Sequence, residues 1–180
     1  MTAPRLSGLR PRLRRAIIAL CAVAAGLSAL SLASVPTAGA AVAACRTGGL
    51  VIWMDTQGNG TAGTIFYTLN FTNLSGRACT LRGFPGVSAV NLRGVRVGRA
   101  AARDRGQTVR TITLTAGHTA HATLGIVDIG ALPTSSCPPT TAAGLRVFPP
   151  NQTASKVIPF PFAACGKAGA TFLRIRPVTR

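Results

Sequence analysis

Two histidines and three aspartates are the residues of this chain that could serve acid–base or metal chemistry. His118 and His121 stand in the run GHTAH, and the acids are Asp55, Asp104 and Asp128. Residues three apart on a strand point to opposite faces, so the two imidazoles converge only if the chain turns there. The two histidines therefore supply at most part of the ligand set of a metal site, or a general base that still needs a partner residue.

Catalysis would require more than these residues supply. A hydrolase assembles a nucleophile, a base and an orienting group in space. The chain has no glutamate and neither a G-x-S-x-G nor an H-E-x-x-H motif. We expect no catalytic residue, no metal site and no cofactor, and we keep a small secreted hydrolase or metal-binding protein that uses His118 and His121 as the alternative.

Arginine is the other chemistry-bearing residue type, and it is clustered. Eight arginines fall within the 34 residues from 77 to 110, where Asp104 is the only acid. Arginine holds phosphate or carboxylate through two parallel hydrogen bonds, which lysine cannot do. The candidate anion-binding residues, called the arginine set below, are Arg93, Arg96, Arg99, Arg103 and Arg105.

The stretch from residue 93 to 110 shows no apolar alternation as far as Gln107, so we expect a hairpin or long loop at one end of the domain. Its partner would be an anionic wall polymer, glycan or lipid headgroup. Nucleic acid is not expected, because no aromatic residue alternates with these arginines as in a single-strand stacking platform. The alternative is a solvated basic face without a ligand.

The N-terminus predicts export. Five arginines and no acid precede an uncharged run from Ala16 to about Leu32, followed by Pro36, Gly39 and small residues. This is the order of a signal peptide, assigned to residues 1–40, and the protein is then secreted or associated with the cell envelope. An uncleaved anchor and a lipid on Cys45 are the alternatives, and the Arg14-Arg15 pair leaves twin-arginine export open.

Residues 41–180 are enough for one domain with a real core. Five of the 20 Lys and Arg residues lie in the leader, which leaves 15 against three acids and a formal net charge of +12. The domain is therefore basic without its leader.

Cysteine usage agrees with export. Residues 41–180 contain Cys45, Cys79, Cys137 and Cys165, while Cys21 lies in the leader. An even number in an exported chain indicates two disulfides, with three possible connectivities. Because nearest pairing closes the shortest loops, we expect Cys45–Cys79 and Cys137–Cys165. Zinc is disfavoured because no Cys-x-x-Cys pair is present.

Period-two patterns predict strands throughout the domain. Apolar residues alternate with polar ones in segments around residues 65–72, 112–114, 122–126, 145–147 and 173–175. Turn residues separate the segments, including Asn73 to Gly76, which should lead into a return strand at Cys79, and Pro85-Gly86, which suits a type II turn. The fold class is all-β, a single antiparallel β-sandwich of immunoglobulin-like general architecture, with a closed barrel as the alternative.

One block also resembles a known family. The run FTNLSGRACTLRGFPGVSAV, residues 71–90, is similar to the most recognisable block of domain of unknown function 4232, a group of exported actinobacterial proteins. Similar positions continue through Leu114-x-x-Gly117, Cys137-Pro138, Pro149-Pro150 and Cys165 to Val178. The resemblance implies an exported β-sandwich with no established activity, so no catalytic residue follows from it.

Overall fold

The computed structural model describes residues 41–180. The predicted signal peptide, residues 1–40, lies outside the described residues, so its cleavage stays a prediction. The alternative of a lipid on Cys45 is contradicted, because the Cys45 sulfur that would carry the lipid is bonded to Cys79. Residues 41–180 form one compact unit.

The described chain is all-β, with two short 3₁₀ turns at Thr47–Gly49 and Ile129–Ala131 and no α-helix. Its strands are β1 Leu50–Met54, β2 Asn59–Thr61, β3 Thr64–Asn73, β4 Cys79–Arg82, β5 Gly86–Val90, β6 Arg96–Val97, β7 Ala102–Arg103, β8 Thr111–Leu114, β9 Thr119–Val127, β10 Pro139–Phe148, β11 Lys156–Cys165 and β12 Leu173–Ile175.

The strands form two main sheets and one small one. One sheet has the order β1-β3-β9-β12-β7, with β2 added to β3, and the other has the order β11-β10-β5-β6. A third sheet consists of β4 and β8. Every pairing is antiparallel except that of β12 with β7. The sheets do not close on themselves, so the predicted all-β sandwich is confirmed and the barrel is not.

The core forms where the two main sheets face each other. Leu69 and Phe71 of β3 and Leu124 of β9 are fully buried, as are Leu145 and Val147 of β10 in the opposite sheet. These are the apolar positions of the period-two segments. Their alternation therefore identified the inner face of each strand correctly.

The strand connections differ from a simple meander. The polar turn after β3 does not return the chain beside β3, because β3 pairs with β1, β2 and β9 while β4 pairs with β8. The predicted type II turn at Pro85-Gly86 is also wrong. Gly86 begins β5 and pairs with Phe148, while the positive φ of 107° belongs to Gly83. Glycine there adopts a conformation that most residues disfavour, which lets the chain leave β4.

Both disulfides have the predicted partners. Cys45–Cys79 joins the segment before β1 to β4, and the Cys45 amide also donates to the carbonyl of Thr80. Cys137–Cys165 joins the loop before β10 to the end of β11. All four cysteines are buried. Each bond therefore ties a segment outside the strands, at Cys45 or Cys137, to the end of a strand.

Asn73 holds the end of β3 in place and is fully buried. Its Nδ2 donates to the carbonyls of Arg77 at 2.8 Å and Leu114 at 3.0 Å. Its Oδ1 accepts from the backbone amide of Ser75 at 3.0 Å and from the Ser75 hydroxyl at 2.7 Å. This single side chain therefore connects β3, the following turn and β8.

We expect Asn73→Ala to lower the free energy of unfolding by about 2 to 4 kcal/mol, because buried backbone groups lose their partners. Urea denaturation followed by circular dichroism measures the change. Asn91→Ala is the matched control, since the Asn91 carboxamide also accepts two backbone amides but at an exposed turn. The control should cost about 1 kcal/mol or less, and an equal loss in the two variants would contradict this role for Asn73.

Candidate functional site

The segment that carries the arginine set crosses from one main sheet to the other. It leaves β5 at residue 91, forms β6 at the edge of the four-stranded sheet, and then forms β7 at the edge of the larger sheet. The predicted hairpin is present between β5 and β6. Arg96 and Arg103 lie on the edge strands β6 and β7, whereas Arg93, Arg99 and Arg105 lie in the connections beside these strands. The predicted display on a hairpin or loop therefore holds for only part of the set.

Local hydrogen bonds fix the turn between β5 and β6. The Asn91 carboxamide oxygen accepts the amides of Arg93 at 3.0 Å and Val95 at 2.9 Å. Gly94 supplies a positive φ of 73° and donates its amide to the carbonyl of Asn91. The neighbouring Leu92 is 95% exposed. Arg93 and Leu92 therefore project from a turn that the Asn91 side chain and backbone hydrogen bonds hold in shape.

All five members of the arginine set are exposed. Across residues 41–180 the one salt bridge joins Arg176 to Asp104, so no member of the set is paired with a carboxylate. The Arg103 guanidinium lies 5.7 Å from the centre of the Phe84 ring. The set thus presents unneutralised positive charge along the sheet edges.

Asp104, the one acid in this segment, does not neutralise the set. Its Oδ1 accepts the Gly106 amide at 3.1 Å, and its Oδ2 accepts from Arg176 Nε at 3.2 Å. The Gly106 amide first, and then Arg176, hold the pKa of this carboxyl below its usual range. Asp104 therefore stays ionised with a partner from outside the segment.

The two histidines do not come together at a metal site. His118 lies in the turn before β9, where its Nδ1 is 2.7 Å from the Thr115 hydroxyl. His121 lies within β9, between the buried Ala120 and Ala122, so its side chain is on the face away from the core. Within residues 41–180, no group of three His, Cys, Asp or Glu side chains is placed to hold a metal ion.

Comparison with known proteins agrees with the fold. The family model described as "Domain of unknown function (DUF4232)" matches residues 45–179, which is most of the chain. The chain belongs to this family. The resemblance of residues 71–90 is thereby confirmed. No curated protein and no solved structure matches the chain.

The DUF4232 match covers all twelve strands and all four disulfide cysteines. In the described part of the chain, no helix has the length and apolar character needed to cross a membrane. Disulfides are typical of proteins that fold in an oxidising compartment, which is consistent with an extracellular location.

Two cavities of this DUF4232 domain adjoin the arginine set and were not predicted. One, of about 630 Å³, has mostly apolar walls that include Leu92, Pro159 and Pro161, with Arg93 beside them. The other, of about 430 Å³, is lined by Arg82 and Arg103 among others. Sequence spacing gives no signal for either cavity, because each joins residues that are more than 45 positions apart in the chain.

Proposed function

We propose that this DUF4232 domain is an exported, non-catalytic protein that binds an anionic component of the cell envelope through the arginine set. The observation that carries the proposal is the exposure of five arginines on two edge strands and their connections, none of which has a carboxylate partner within residues 41–180. The leader sequence and the two disulfides support export to the place where such a component occurs.

Charge of this kind acts in two ways. At long range it raises the local concentration of an anionic polymer and speeds encounter. At contact, each guanidinium can hold a phosphate or carboxylate with two hydrogen bonds. Neither step needs a nucleophile or a moving lid. A rigid β-scaffold with exposed arginines is therefore sufficient for the proposed binding.

The alternative of a hydrolase or metal-binding protein has less support. It needs His118, His121 and an acid around one cleft, yet His118 contacts Thr115 in a turn and His121 extends from a strand. The acid of the arginine segment, Asp104, is engaged by Gly106 and Arg176. Among the described residues, no group of three His, Cys, Asp or Glu side chains is placed to hold a metal ion, so the histidine alternative has less support than the arginine set.

Salt dependence tests the proposed function. The purified protein is applied to an anionic cell-wall fraction in 0.1 M salt and again in 1 M salt. Retention should be strong in the first and nearly lost in the second, because the Debye length falls from about 10 Å to about 3 Å. The variant His118→Ala/His121→Ala should be retained like the parent. Retention that ignores salt, or that requires the histidines, would overturn the proposal.

A further inference from the structure

We infer that the cavity between Arg82 and Arg103 is a binding site for an anionic saccharide, whose phosphate or carboxylate the two guanidinium groups hold. The inference rests on the proposed function. It narrows the proposed binding site from an exposed charged surface to one cleft. The cleft has a volume of about 430 Å³, which is within the usual range for a small-ligand site.

The cleft forms where all three sheets meet. Arg82 is the last residue of β4, Arg103 lies on β7 of the larger sheet, and Phe148 ends β10 of the four-stranded sheet. The amide of Val178 donates to the carbonyl of Gly83 at 2.9 Å and so ties the C-terminal segment to the same place. Groups from separate elements are therefore held around one concavity by the fold itself.

Its charge is entirely positive. Two arginines line the cleft, and none of its lining residues is acidic. Asp104 follows Arg103 directly but turns its carboxylate to Gly106 and Arg176 instead. Two like charges beside one cavity repel each other, and a bound anion removes that repulsion. The site is thus complementary to a phosphate or carboxylate group.

Several contacts restrict the Arg103 side chain and the loop of Asn151 and Gln152 before a ligand binds. The guanidinium of Arg103 lies over the Phe84 ring at 5.7 Å. Asn151, with a positive φ of 59°, donates its Nδ2 to the carbonyl of Arg82 at 3.1 Å. The Gln152 amide donates to the carbonyl of Pro149 and closes this loop. The Arg103 side chain and the loop that carries Asn151 and Gln152 are thus partly ordered, which lowers the entropy that these groups lose on binding.

The remaining lining suits a saccharide rather than a bare ion. Asn151 Nδ2 gives one hydrogen to the carbonyl of Arg82, and Gln152 Nε2 gives one to the carbonyl of Asn151. Each side chain therefore keeps one amide hydrogen and its carbonyl oxygen, which can pair with sugar hydroxyls. Phe84 and Phe148 add apolar ring surface to the same cavity. Aromatic and amide groups around two arginines form a site for a sugar that carries a negative charge.

Titrations followed by amide NMR shifts test the cleft. The probes are glucose 1-phosphate, glucuronate and, as the neutral control, glucose, all in 0.1 M salt. We expect saturable shifts at the amides of Gly83, Gly86, Asn151 and Gln152 with one or both anionic probes and none with glucose. A response to only one of the two anionic probes assigns the group as phosphate or as carboxylate.

Paired variants separate this site from general charge. Arg82→Ser/Arg103→Ser should weaken probe binding by at least about tenfold, because two charge-assisted contacts are lost. The matched control, Arg46→Ser/Arg77→Ser, removes the same charge at exposed positions around a different cavity and should change binding less than about twofold.

The outcomes also separate the saccharide-site hypothesis from the proposed function. An equal loss of probe affinity in the two double variants, or shifts at amides other than the four of the cleft, would overturn the saccharide site. If the protein shows salt-sensitive retention on wall material yet no probe shifts the amide signals of the cleft, only the saccharide-site hypothesis is wrong. If retention and amide shifts are both absent, the saccharide-site hypothesis and the proposed function are both wrong.

Discussion

Replacing Cys45, Cys79, Cys137 and Cys165 together with alanine is expected to lower the free energy of unfolding by about 6 to 8 kcal/mol. The bonds close loops with sequence separations of 34 and 28 residues. In the chain-entropy model each such loop contributes about 3 to 4 kcal/mol. Natural domains have about 5 to 15 kcal/mol in total, so the variant should be largely unfolded at 37 °C.

The structure gives a reason why so much depends on these bonds. Cys45 precedes the first strand, and Cys137 lies in a loop before β10. Apart from the disulfide, the first of these segments is held to β4 mainly by a bridge between Ala44 and Thr80. Without the covalent link, a segment of that kind has few backbone hydrogen bonds to keep it in place.

Thermal unfolding followed by circular dichroism measures this effect, with each single-disulfide variant as the comparison. Cys45→Ala/Cys79→Ala and Cys137→Ala/Cys165→Ala should each lose about half of the total. A quadruple variant whose stability stays within about 1 kcal/mol of the parent would show that the bonds do not constrain the folded protein.

The second large effect concerns binding. Replacing the whole arginine set with serine is expected to abolish retention on anionic wall material while the melting temperature changes by less than about 5 °C. The five side chains are exposed and have no carboxylate partner, so their loss leaves no buried group unsatisfied. Surface substitutions of this kind each change stability by about 0.5 kcal/mol or less.

Net charge alone has to be excluded as the cause. The matched control removes five exposed cations elsewhere in the described chain, at Arg46, Arg77, Lys167, Arg174 and Arg180. Both variants carry the same formal charge, and only their distribution differs. The control should keep most of its retention, because the edge segment and the Arg82–Arg103 cleft are unchanged.

Much of the fold could be predicted from local pattern. Strands β3, β8, β9, β10 and β12 were indicated by apolar alternation, and most of their apolar positions are buried, while Ile65, Tyr67 and Ile112 are only partly so. The disulfide partners were predicted because short loops make few demands on topology. These features depend on near neighbours in the chain, which is why the sequence reveals them.

Strand β11 shows where local pattern fails. Pro159 and Pro161 interrupt its alternation, and proline normally argues against a strand. It is tolerated because β11 is the edge of its sheet, where only one side needs backbone donors. Edge position is a property of the assembled sheet, so it cannot be predicted from the sequence of β11 alone.

The candidate site shows the same division. Composition identified the exposed arginines, because a stretch with many cations and one acid cannot bury its side chains and must lie at the surface. The cleft was not predictable, since Arg103 meets Arg82 and Asn151 only after β4, β7 and the loop following β10 are brought together. The topology that achieves this, with β5 pairing with β10, joins strands far apart in the chain, and local pattern carries no signal for it.

The most direct test of the account compares retention of three proteins on the same anionic wall fraction in 0.1 M salt: the parent, the arginine-set variant and the charge-matched control. We predict that the parent and the control are retained and that the arginine-set variant, while still folded by circular dichroism, passes through unbound. If the arginine-set variant is retained like the parent, the segment is only a solvated basic face and the proposed function is wrong.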